Sequence, residues 1–236
     1  RQLRYLYGYP SNQMELWSSK PIITQNLIQS MKTLAKHSKV DESNEEMRQN
    51  VSNMEDQQRY TGSQHELFVA LLADDGVQNT IKRRAKLPEA LPDSYQYLFR
   101  NMHQYCKEQY VPTAVDLIHS YQRTTGANNT HFVHSQGNLR SYEIVDVGGL
   151  KYERRKWIHF YDGTNVVMNV IDLSGFCTQQ RGGGNRLKEN IGVFKSIVNL
   201  EVFQQCEWMV ILNKYDVLEE YVDAGMKFNE YFPEYR

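Results

Sequence analysis

The spacing of apolar residues near the start of the chain is that of a helix. Ile23, Leu27, Met31 and Leu34 recur every three or four positions and therefore share one helix face. Proline lacks a backbone N–H and clashes with the preceding turn, so Pro21 is expected near the start of that helix. The pattern predicts a helix that begins close to residue 22 and buries its apolar face.

Further helical signals follow in the first half of the chain. The apolar spacing over 66–72 predicts a second helical core segment, whereas the polar stretch 37–53 is expected to be a loop or an exposed helix. Asp93 and Ser94 are residue types that cap helix N-termini, which predicts a helix over 95–110. The side chains of that helix expected to face inward are Tyr97, Leu98 and Met102.

After Pro112 the pattern changes to that of strands. Residues 131–147 predict two strands around a turn at 135–138, and apolar runs at 166–173 and 208–212 predict two more. Between these runs a helical stripe is formed by Leu187, Ile191, Phe194, Ile197 and Val198. A strand, a helix and a strand with nearly continuous apolar strands indicate a parallel sheet covered by helices. The predicted fold class is α/β, preceded by a helical domain.

Charge and cysteine content argue against several classes of function. The chain has 27 basic and 28 acidic residues, whereas a nucleic-acid binder normally shows a basic excess, so no nucleic-acid partner is expected. Three cysteines lie far apart without metal-ligand spacing, so neither a disulfide framework nor a zinc site is expected. No apolar run approaches the roughly 20 residues that a membrane-spanning helix needs.

Asp146-Val147-Gly148-Gly149 stands at the end of a predicted strand. Ligands of open α/β sheets bind beyond the carboxyl ends of the strands. An acidic side chain there can hold Mg²⁺ through water, and a glycine lets a backbone N–H come close to a terminal phosphate. The alternative is a strand that simply ends in a Gly-Gly turn.

Asn213-Lys214-Tyr215-Asp216 also follows an apolar run. An Asp carboxylate can accept the N–H donors of guanine N1 and N2, a pair of donors that adenine does not present. The Asn side chain can bond the edge of the ring, and the Lys stem can lie along the plane of the base. A polar turn is the alternative, but the position about 70 residues after Asp146 favours the nucleotide interpretation.

Thr124-Thr125-Gly126 precedes the two predicted strands at 131–147. A threonine hydroxyl can complete the ligand shell of Mg²⁺, and its backbone N–H can contact a terminal phosphate. Such a loop becomes ordered when the phosphate is present and relaxes when it leaves. Taken alone, the triplet is equally typical of a surface turn.

Together these segments resemble those of heterotrimeric G protein alpha subunits. The longest likeness runs from Asp146 to His159 and is similar to the second switch segment of that family. Residues 110–113, 124–132 and 210–216 resemble other segments of the family. The resemblance covers the chain from about residue 2 to residue 236 and is weakest in the first hundred residues.

The resemblance implies a Ras-like parallel-sheet GTPase domain, incomplete in this chain, with an inserted all-helical domain. Residues 1–9 would be the end of the first Ras-like helix, 10–112 the helical domain, and 113–236 the Ras-like domain. No Gly-x-x-x-x-Gly-Lys-Ser/Thr phosphate loop occurs in the sequence, and the family's C-terminal part is also missing. The chain is therefore expected to be a part of a longer subunit.

Residue roles follow from the same resemblance. Thr124 and Asp146 would bind Mg²⁺, the latter through water, and Gly149 would sense the γ-phosphate of GTP. The residues that read guanine would be Asn213, Lys214 and Asp216. Asp93 and Ser94 would lie near the nucleotide, with Asp93 either paired with Lys214 or left as an exposed helix-capping carboxylate. The surface that contacts a partner would include Arg154, Lys156 and Trp157.

Two positions depart from the family pattern where hydrolysis is concerned. Leu150 stands where the family has a glutamine that orients the attacking water, and leucine has neither donor nor acceptor. Tyr121 stands where the family has an arginine that stabilises the transferring phosphoryl group. The arginine is worth about 10³ to 10⁵ in rate, a general figure for this class of GTPase. The sequence therefore predicts binding of GTP and GDP with slow or absent hydrolysis.

The resemblance also implies partners and a location. The expected protein is a signalling switch at the cytoplasmic face of the plasma membrane, associated with the membrane peripherally. It would couple a G protein-coupled receptor to effector enzymes through release of a βγ dimer. Two other interpretations remain: a non-hydrolysing scaffold that keeps the fold, and a helical interaction module that carries an inert α/β remnant.

Overall fold

A computed structural model of the protein describes residues 12–56, 59–134, 140–160, 163–178 and 184–235. Its internal contacts divide the chain into two compact units, the first made of residues 1–81 and 91–153 and the second of 82–90 and 154–236. The predicted end of a first Ras-like helix, in residues 1–9, lies outside the described residues.

The first unit is mainly helical. Its helices are α1 Gln13–His37, α2 Glu45–Ser52, α3 Gly62–Leu72, α4 Asp75–Lys82, α5 Tyr95–Tyr105 and α6 Ala114–His119, and a 3₁₀ turn spans Glu42–Asn44. Helix α1 packs against α2, α5 and α6. The predicted stripe of α1, from Ile23 to Leu34, is fully buried in this core, which confirms the inward face of the helix.

Helix α1 begins at Gln13, so the prediction that Pro21 lies near its start is wrong. The Oδ1 atom of Asn12 caps the helix by accepting a hydrogen bond from the Glu15 N–H at 2.8 Å. The first two turns bury little apolar surface, because Met14 and Trp17 are exposed. Apolar periodicity therefore gives no signal for the part of the helix that precedes the proline.

Helix α5 begins where Ser94 predicts but ends at Tyr105, five residues before the predicted residue 110. The Nζ atom of Lys20 lies 3.2 to 3.4 Å from three carbonyl oxygens of the segment that follows, those of Lys107, Glu108 and Tyr110. These carbonyls are satisfied by a lysine on α1 and need no further helical turn. Of the predicted inward side chains, Leu98 and Met102 are buried and Tyr97 is half-buried.

An antiparallel pair of strands completes the described part of the first unit. Strands β1 Ala127–His134 and β2 Arg140–Val147 pair in the register that places Ala127 opposite Val147 and Asp146 opposite Asn128. This pair confirms the two predicted strands. The turn predicted at 135–138 lies outside the described residues.

The second unit contains a parallel pair of strands with helices. Its elements are β3 Val166–Asp172, α7 Arg186–Val198, β4 Glu207–Asn213, α8 Tyr215–Asp223 and α9 Phe228–Tyr231, with 3₁₀ turns at Arg84–Lys86, Arg154–Phe160, Leu173–Phe176 and Glu201–Phe203. Strands β3 and β4 are parallel, with Asp172 beside Asn213. The predicted succession of strand, helix and strand is confirmed.

The core of the second unit gathers near the carboxyl end of β3. Its buried residues are Ala85, Ile171, Phe176, Cys177, Leu187, Tyr221, Met226 and Phe232. Ala85 comes from the stretch 82–90, and the neighbouring Arg84 forms an ion pair with Glu220 and lies over the ring of Tyr221. This stretch belongs by sequence to the predicted helical domain but packs within the second unit. The predicted domain boundary near residue 112 remains a prediction.

The structure is thus a mixed helix and sheet protein with a parallel pair of strands, as the α/β interpretation requires. Insertion of the helical part into a Ras-like domain remains an implication of the resemblance. Among the described residues, no helix combines the length and the apolar character that crossing a membrane would require.

Candidate functional site

The Thr124–Gly126 triplet lies against the end of strand β2. The Gly148 N–H donates a hydrogen bond to the Gly126 carbonyl at 2.9 Å, and a Cβ atom at Gly148 would lie only 2.9 Å from the carbonyl oxygen of Thr124. Glycine is therefore required at position 148, because any side chain would push the loop away. The first unit brings two of the predicted phosphate segments into direct contact.

A buried carboxylate supports this contact. Glu153 is 4% exposed, and its Oε2 atom accepts a hydrogen bond from the Gly126 N–H at 3.1 Å. Its own N–H donates to the carbonyl of Leu150 at 2.8 Å, which closes the turn after Gly149. The sequence prediction missed Glu153, and its acidic position inside a polar run gave no periodic signal.

Most of the other predicted residues of this unit are exposed. Asp146 is exposed on β2, and a Cβ atom at Gly149 would meet no protein atom within 4 Å. Leu150 is half-buried, and the Tyr121 side chain is 63% exposed. Asp93 is exposed. Ser94 occupies the N-cap position of helix α5, but its side chain makes no capping hydrogen bond.

Helix α1 holds the backbone at the entry to the triplet. The Asn26 side chain accepts from the Tyr121 N–H at 2.5 Å and donates to the Tyr121 carbonyl at 3.0 Å. This pair of bonds satisfies both backbone groups of Tyr121 and fixes the start of the loop. The prediction missed Asn26, since a polar residue between apolar helix positions is typical of a solvent-facing side chain.

In the second unit, the segment 213–216, which the sequence predicts to read guanine, lies at the carboxyl end of a parallel strand. Asn213 is the last residue of β4, and Asp216 lies in the first turn of α8. Both side chains are exposed. This is the edge of a parallel sheet at which ligands bind in α/β proteins.

Lys214 adopts a left-handed backbone conformation, with φ of 60° and ψ of 39°. This conformation costs residues with a Cβ atom roughly 1–2 kcal/mol. The Asn213 Oδ1 atom accepts a hydrogen bond from the Lys214 N–H at 2.9 Å and supports the turn. The Lys214 Nζ atom donates to Asp172 Oδ2 at 2.9 Å. The predicted pair of Lys214 with Asp93 remains a prediction.

Asp172 lies at the end of β3, beside Asn213. Its Oδ1 atom accepts from the N–H and the hydroxyl of Ser174, at 3.1 and 2.6 Å. Burial by itself would raise the pKa of this carboxyl, but the hydrogen bonds from Ser174 and Lys214 and the nearby Arg186 outweigh it and hold the pKa below its usual range. Asp172 is therefore a carboxylate that the sequence prediction missed, because a single acid inside the apolar run 166–173 does not show which residues it contacts.

The predicted partner-contacting residues lie at the start of the second unit. Arg154 donates from Nη2 to Glu189 Oε1 on α7 at 2.8 Å, so its guanidinium is engaged within the unit. Lys156 is exposed and Trp157 is half-buried. The arrangement leaves their role in a partner interface as a prediction.

The donor set of the first unit is compatible with Mg²⁺. The described residues contain no group of three or more His, Cys, Asp or Glu side chains placed to hold a metal. Mg²⁺ commonly takes only one or two protein ligands and completes its octahedron with water and phosphate oxygens. The hydroxyl of Thr124 and the carboxylate of Asp146 are suitable ligands of that kind.

Comparison with known proteins gives one consistent answer. A family model described as G-protein alpha subunit matches residues 1–236. The guanine nucleotide-binding protein subunit alpha-15 of Homo sapiens is 30% identical over 246 residues, which cover 100% of this chain and 64% of that protein. The G(o) subunit alpha of Geodia cydonium is 30% identical over 248 residues, covering 100% of this chain and 68% of the relative.

A third relative matches a shorter stretch. The alpha-5 subunit of Caenorhabditis elegans is 33% identical over 178 residues, which cover 62% of this chain and 45% of that protein. The chain spans 64% of the length of the human relative. Because the family model matches the chain over its full length, the chain belongs to the G-protein alpha subunit family.

Proposed function

We propose that this chain carries the two switch segments and the guanine-reading loop of a guanine-nucleotide-binding signalling subunit. The observation that carries the proposal is the loop 213–216, which leaves the carboxyl end of a parallel strand with Asn213 and Asp216 exposed. The Asp216 carboxylate accepts the N1 and N2 donors of guanine, and Asn213 bonds the edge of the ring. Lys214 lies along the base.

Thr124, Asp146 and Gly149 serve the phosphate end of GTP or GDP. Mg²⁺, when bound, neutralises the charge of the phosphate oxygens. Thr124 would hold the ion directly and Asp146 through water, and the Gly149 N–H would read the γ-phosphate. The contact of Thr124 with Gly148 supports this assignment, because it couples the two segments that respond to that phosphate.

The full subunit acts as a switch at the cytoplasmic face of the plasma membrane. It binds a βγ dimer in the GDP state and couples a receptor to effectors when GTP is bound. Arg154, Lys156 and Trp157 contact these partners. The hydrogen bond from Arg154 to Glu189 links this segment to helix α7.

Hydrolysis of GTP by this subunit is slow or absent. Leu150 cannot orient a water molecule, and Tyr121 supplies no fixed cation to the transferring phosphoryl group. The Tyr121 ring is exposed, its backbone N–H is held by Asn26, and a tyrosine hydroxyl carries no positive charge. GTP therefore persists once it is bound.

Nucleotide binding tests the assignment of the guanine loop. The full-length subunit is expected to bind mant-GDP, and Asp216→Asn is expected to weaken binding about 100-fold, because one charge-assisted bond is lost and an amide NH₂ group then faces a guanine donor. Asp223→Asn removes the same charge from the far end of α8 and is expected to leave affinity unchanged. Fluorescence titration with and without Mg²⁺ gives the result. Equal affinities of the two variants would contradict the proposal.

Hydrolysis is tested in a single turnover with GTP preloaded on the full-length subunit. The expected rate is at least about 10³-fold below that of family members that carry the arginine. Leu150→Gln is expected to raise the rate, since glutamine restores a group that orients water. A wild-type rate typical of the family would show that another residue supplies the missing charge.

A second candidate function is a scaffold that holds nucleotide without turning it over or does not bind it at all. Leu150 favours this alternative, because it removes the water-orienting group. The binding experiment separates the two forms of the alternative. Tight mant-GDP binding excludes a nucleotide-free scaffold, and no binding in the presence of Mg²⁺ excludes the switch.

A further inference from the structure

The strongest unassigned feature of the described residues is the contact between Asp172 and Lys214. Asp172 belongs to none of the predicted nucleotide segments, yet its carboxylate lies at the end of β3, directly beside the end of β4 from which the guanine loop leaves. Its side chain is 14% exposed. A largely buried carboxylate beside a proposed ligand edge requires an explanation.

Lys214 has a backbone conformation that side-chain-bearing residues rarely adopt. Local hydrogen bonds hold it on both sides: its N–H donates to Asn213 Oδ1, and its carbonyl accepts from the Leu218 N–H at 3.0 Å. The ammonium group makes a third, distant bond, to Asp172, 42 residues earlier in the chain. This third bond fixes the direction of the side chain, which the backbone bonds do not determine.

Asp172 can fix the direction of the Lys214 side chain because its own carboxylate is held in place. Ser174 donates two hydrogen bonds to Oδ1 and leaves Oδ2 for Lys214, so the two oxygens of the carboxylate have separate partners. Arg186 Nη2 lies 3.9 Å from Oδ2 and adds a second positive charge. A carboxylate held in this way keeps one orientation when the lysine moves.

We infer that Asp172 is a positioning residue of the guanine site, which holds the Lys214 ammonium at the strand edge so that the lysine stem is in place before a guanine base arrives. The inference rests on the proposed function and deepens it. Without Asp172, the long lysine side chain would sample several rotamers, and binding would have to order it. The inference therefore predicts a loss of affinity that acts through Lys214 alone.

A double-mutant cycle on the full-length subunit measures this dependence. Asp172→Ala is expected to weaken mant-GDP binding about tenfold, mainly through faster dissociation, because a charge-assisted bond that orders the site is lost. Asp172→Asn keeps an acceptor and is expected to lose less. Lys214→Met retains the apolar stem without the ammonium. In that background Asp172→Ala is expected to have no further effect.

A purely structural role gives a different pattern. If Asp172 only stabilised the unit, its replacement would lower the unfolding midpoint of the nucleotide-free protein. It would also weaken binding by the same factor in the wild-type and the Lys214→Met backgrounds, so that the losses add. Asp223→Ala, at the far end of α8, controls for loss of an acidic charge and is expected to leave the dissociation rate unchanged.

The outcomes distinguish this inference from the proposed function. A wild-type subunit that binds no mant-GDP overturns both. A wild-type subunit that binds, together with an unchanged Asp172→Ala affinity or additive losses in the cycle, overturns the inference alone. If Asp172→Ala fails to fold, the Asp172→Asn cycle with Lys214→Met decides in the same way, because the two side chains are nearly equal in size.

Discussion

Helix α1 and the parallel strands β3 and β4 bury their apolar residues to very different extents. The inward stripe of α1, which includes Leu27 and Leu34, is completely buried. On β3, by contrast, Val166, Met168 and Val170 are each about half exposed in the described structure. Both segments were predicted from apolar pattern alone. Similar apolar patterns therefore belong to a fully buried helix face in the first unit and to partly exposed strands in the second.

The difference follows from geometry. An amphipathic helix has one apolar stripe, and a few neighbouring helices cover it. A parallel strand is apolar on both faces and needs a cover on each. In the second unit, Ile171 faces the core that includes Leu187 on α7, whereas the residues before it on β3 alternate between half-buried and exposed. The better-packed end of β3 is thus the end that leads to Asp172.

This distribution has a consequence for the site. Ile171, Phe176 and Leu187 are buried close in sequence to Asp172 or to Arg186. Side chains at the carboxyl ends of the strands are therefore anchored in the densest part of the unit. A binding edge needs such support, because ligands are read by groups whose positions are already fixed.

The largest expected effect separates the two regions directly. Leu27→Ala removes a fully buried side chain from α1 and is expected to lower the free energy of unfolding by about 2–5 kcal/mol. Leu212→Ala removes the same atoms from a side chain that is 60% exposed on β4, and the expected loss is about 0.5 kcal/mol or less. Chemical denaturation followed by circular dichroism measures both. Equal losses would show that β4 is covered in solution.

A second prediction concerns a buried polar network that belongs to the well-packed unit. The Asp116 carboxylate is 5% exposed and accepts hydrogen bonds from the Tyr97 hydroxyl at 2.9 Å, the Tyr105 hydroxyl at 3.3 Å, and the Thr113 N–H and hydroxyl at 2.8 and 2.7 Å. Asp116→Asn replaces one acceptor oxygen by a donor among these donors. The expected loss of stability at pH 7 is about 2–3 kcal/mol, since hydrogen bonds to a charged group are broken.

The stability difference between wild type and Asp116→Asn is expected to depend on pH, and the pKa of Asp116 determines in which direction. Burial would raise the pKa of Asp116, but the bonds from Thr113 and Tyr97 outweigh it, so the folded-state pKa lies below its usual range. The stabilisation is present above the unfolded-state pKa of about 3.9 and is lost as the pH falls through the folded-state value. The difference between wild type and Asp116→Asn should therefore shrink as the pH falls below about 4. A difference that stays constant with pH would mean that the carboxylate is not the stabilising species.

The sequence predicted the elements more completely than their side-chain partners. The stripe of α1 and the succession of β3, α7 and β4 were predictable, because burial imposes a repeat on consecutive residues. The start of α1 was not, although Asn12 followed by Glu15 is a capping pattern that could have revealed it. The stretch 82–90 was assigned to the helical domain, since a short apolar segment does not tell which core it joins.

At the candidate site, too, the positions of residues relative to the strands were predictable, whereas their side-chain partners were not. The sequence predicted where the strands end: Gly148 directly follows β2, and Asn213 is the last residue of β4, because turn residues stand close to the ends of apolar runs. The bonds from Asn26 to Tyr121 and from Lys214 to Asp172 were not, since they join residues 95 and 42 positions apart. Such contacts depend on how whole elements pack, and a single polar residue carries no repeat from which they could be read.

The smallest expected effect concerns an ion pair in the second unit. It tests whether ion pairs compensate there for the lower burial of apolar residues on β3 and β4. Arg154 and Glu189 form a pair in the second unit, with side chains 26% and 31% exposed. Partly solvated pairs of this kind contribute about 0–1 kcal/mol, because ordering two long side chains offsets most of the attraction. Glu189→Gln is therefore expected to lower the free energy of unfolding by less than about 1 kcal/mol, and the loss should shrink further at high salt. Glu234→Gln removes the same negative charge from an exposed position and serves as the control. A loss as large as that of Leu27→Ala would mean that polar contacts, and not apolar burial, hold the second unit together.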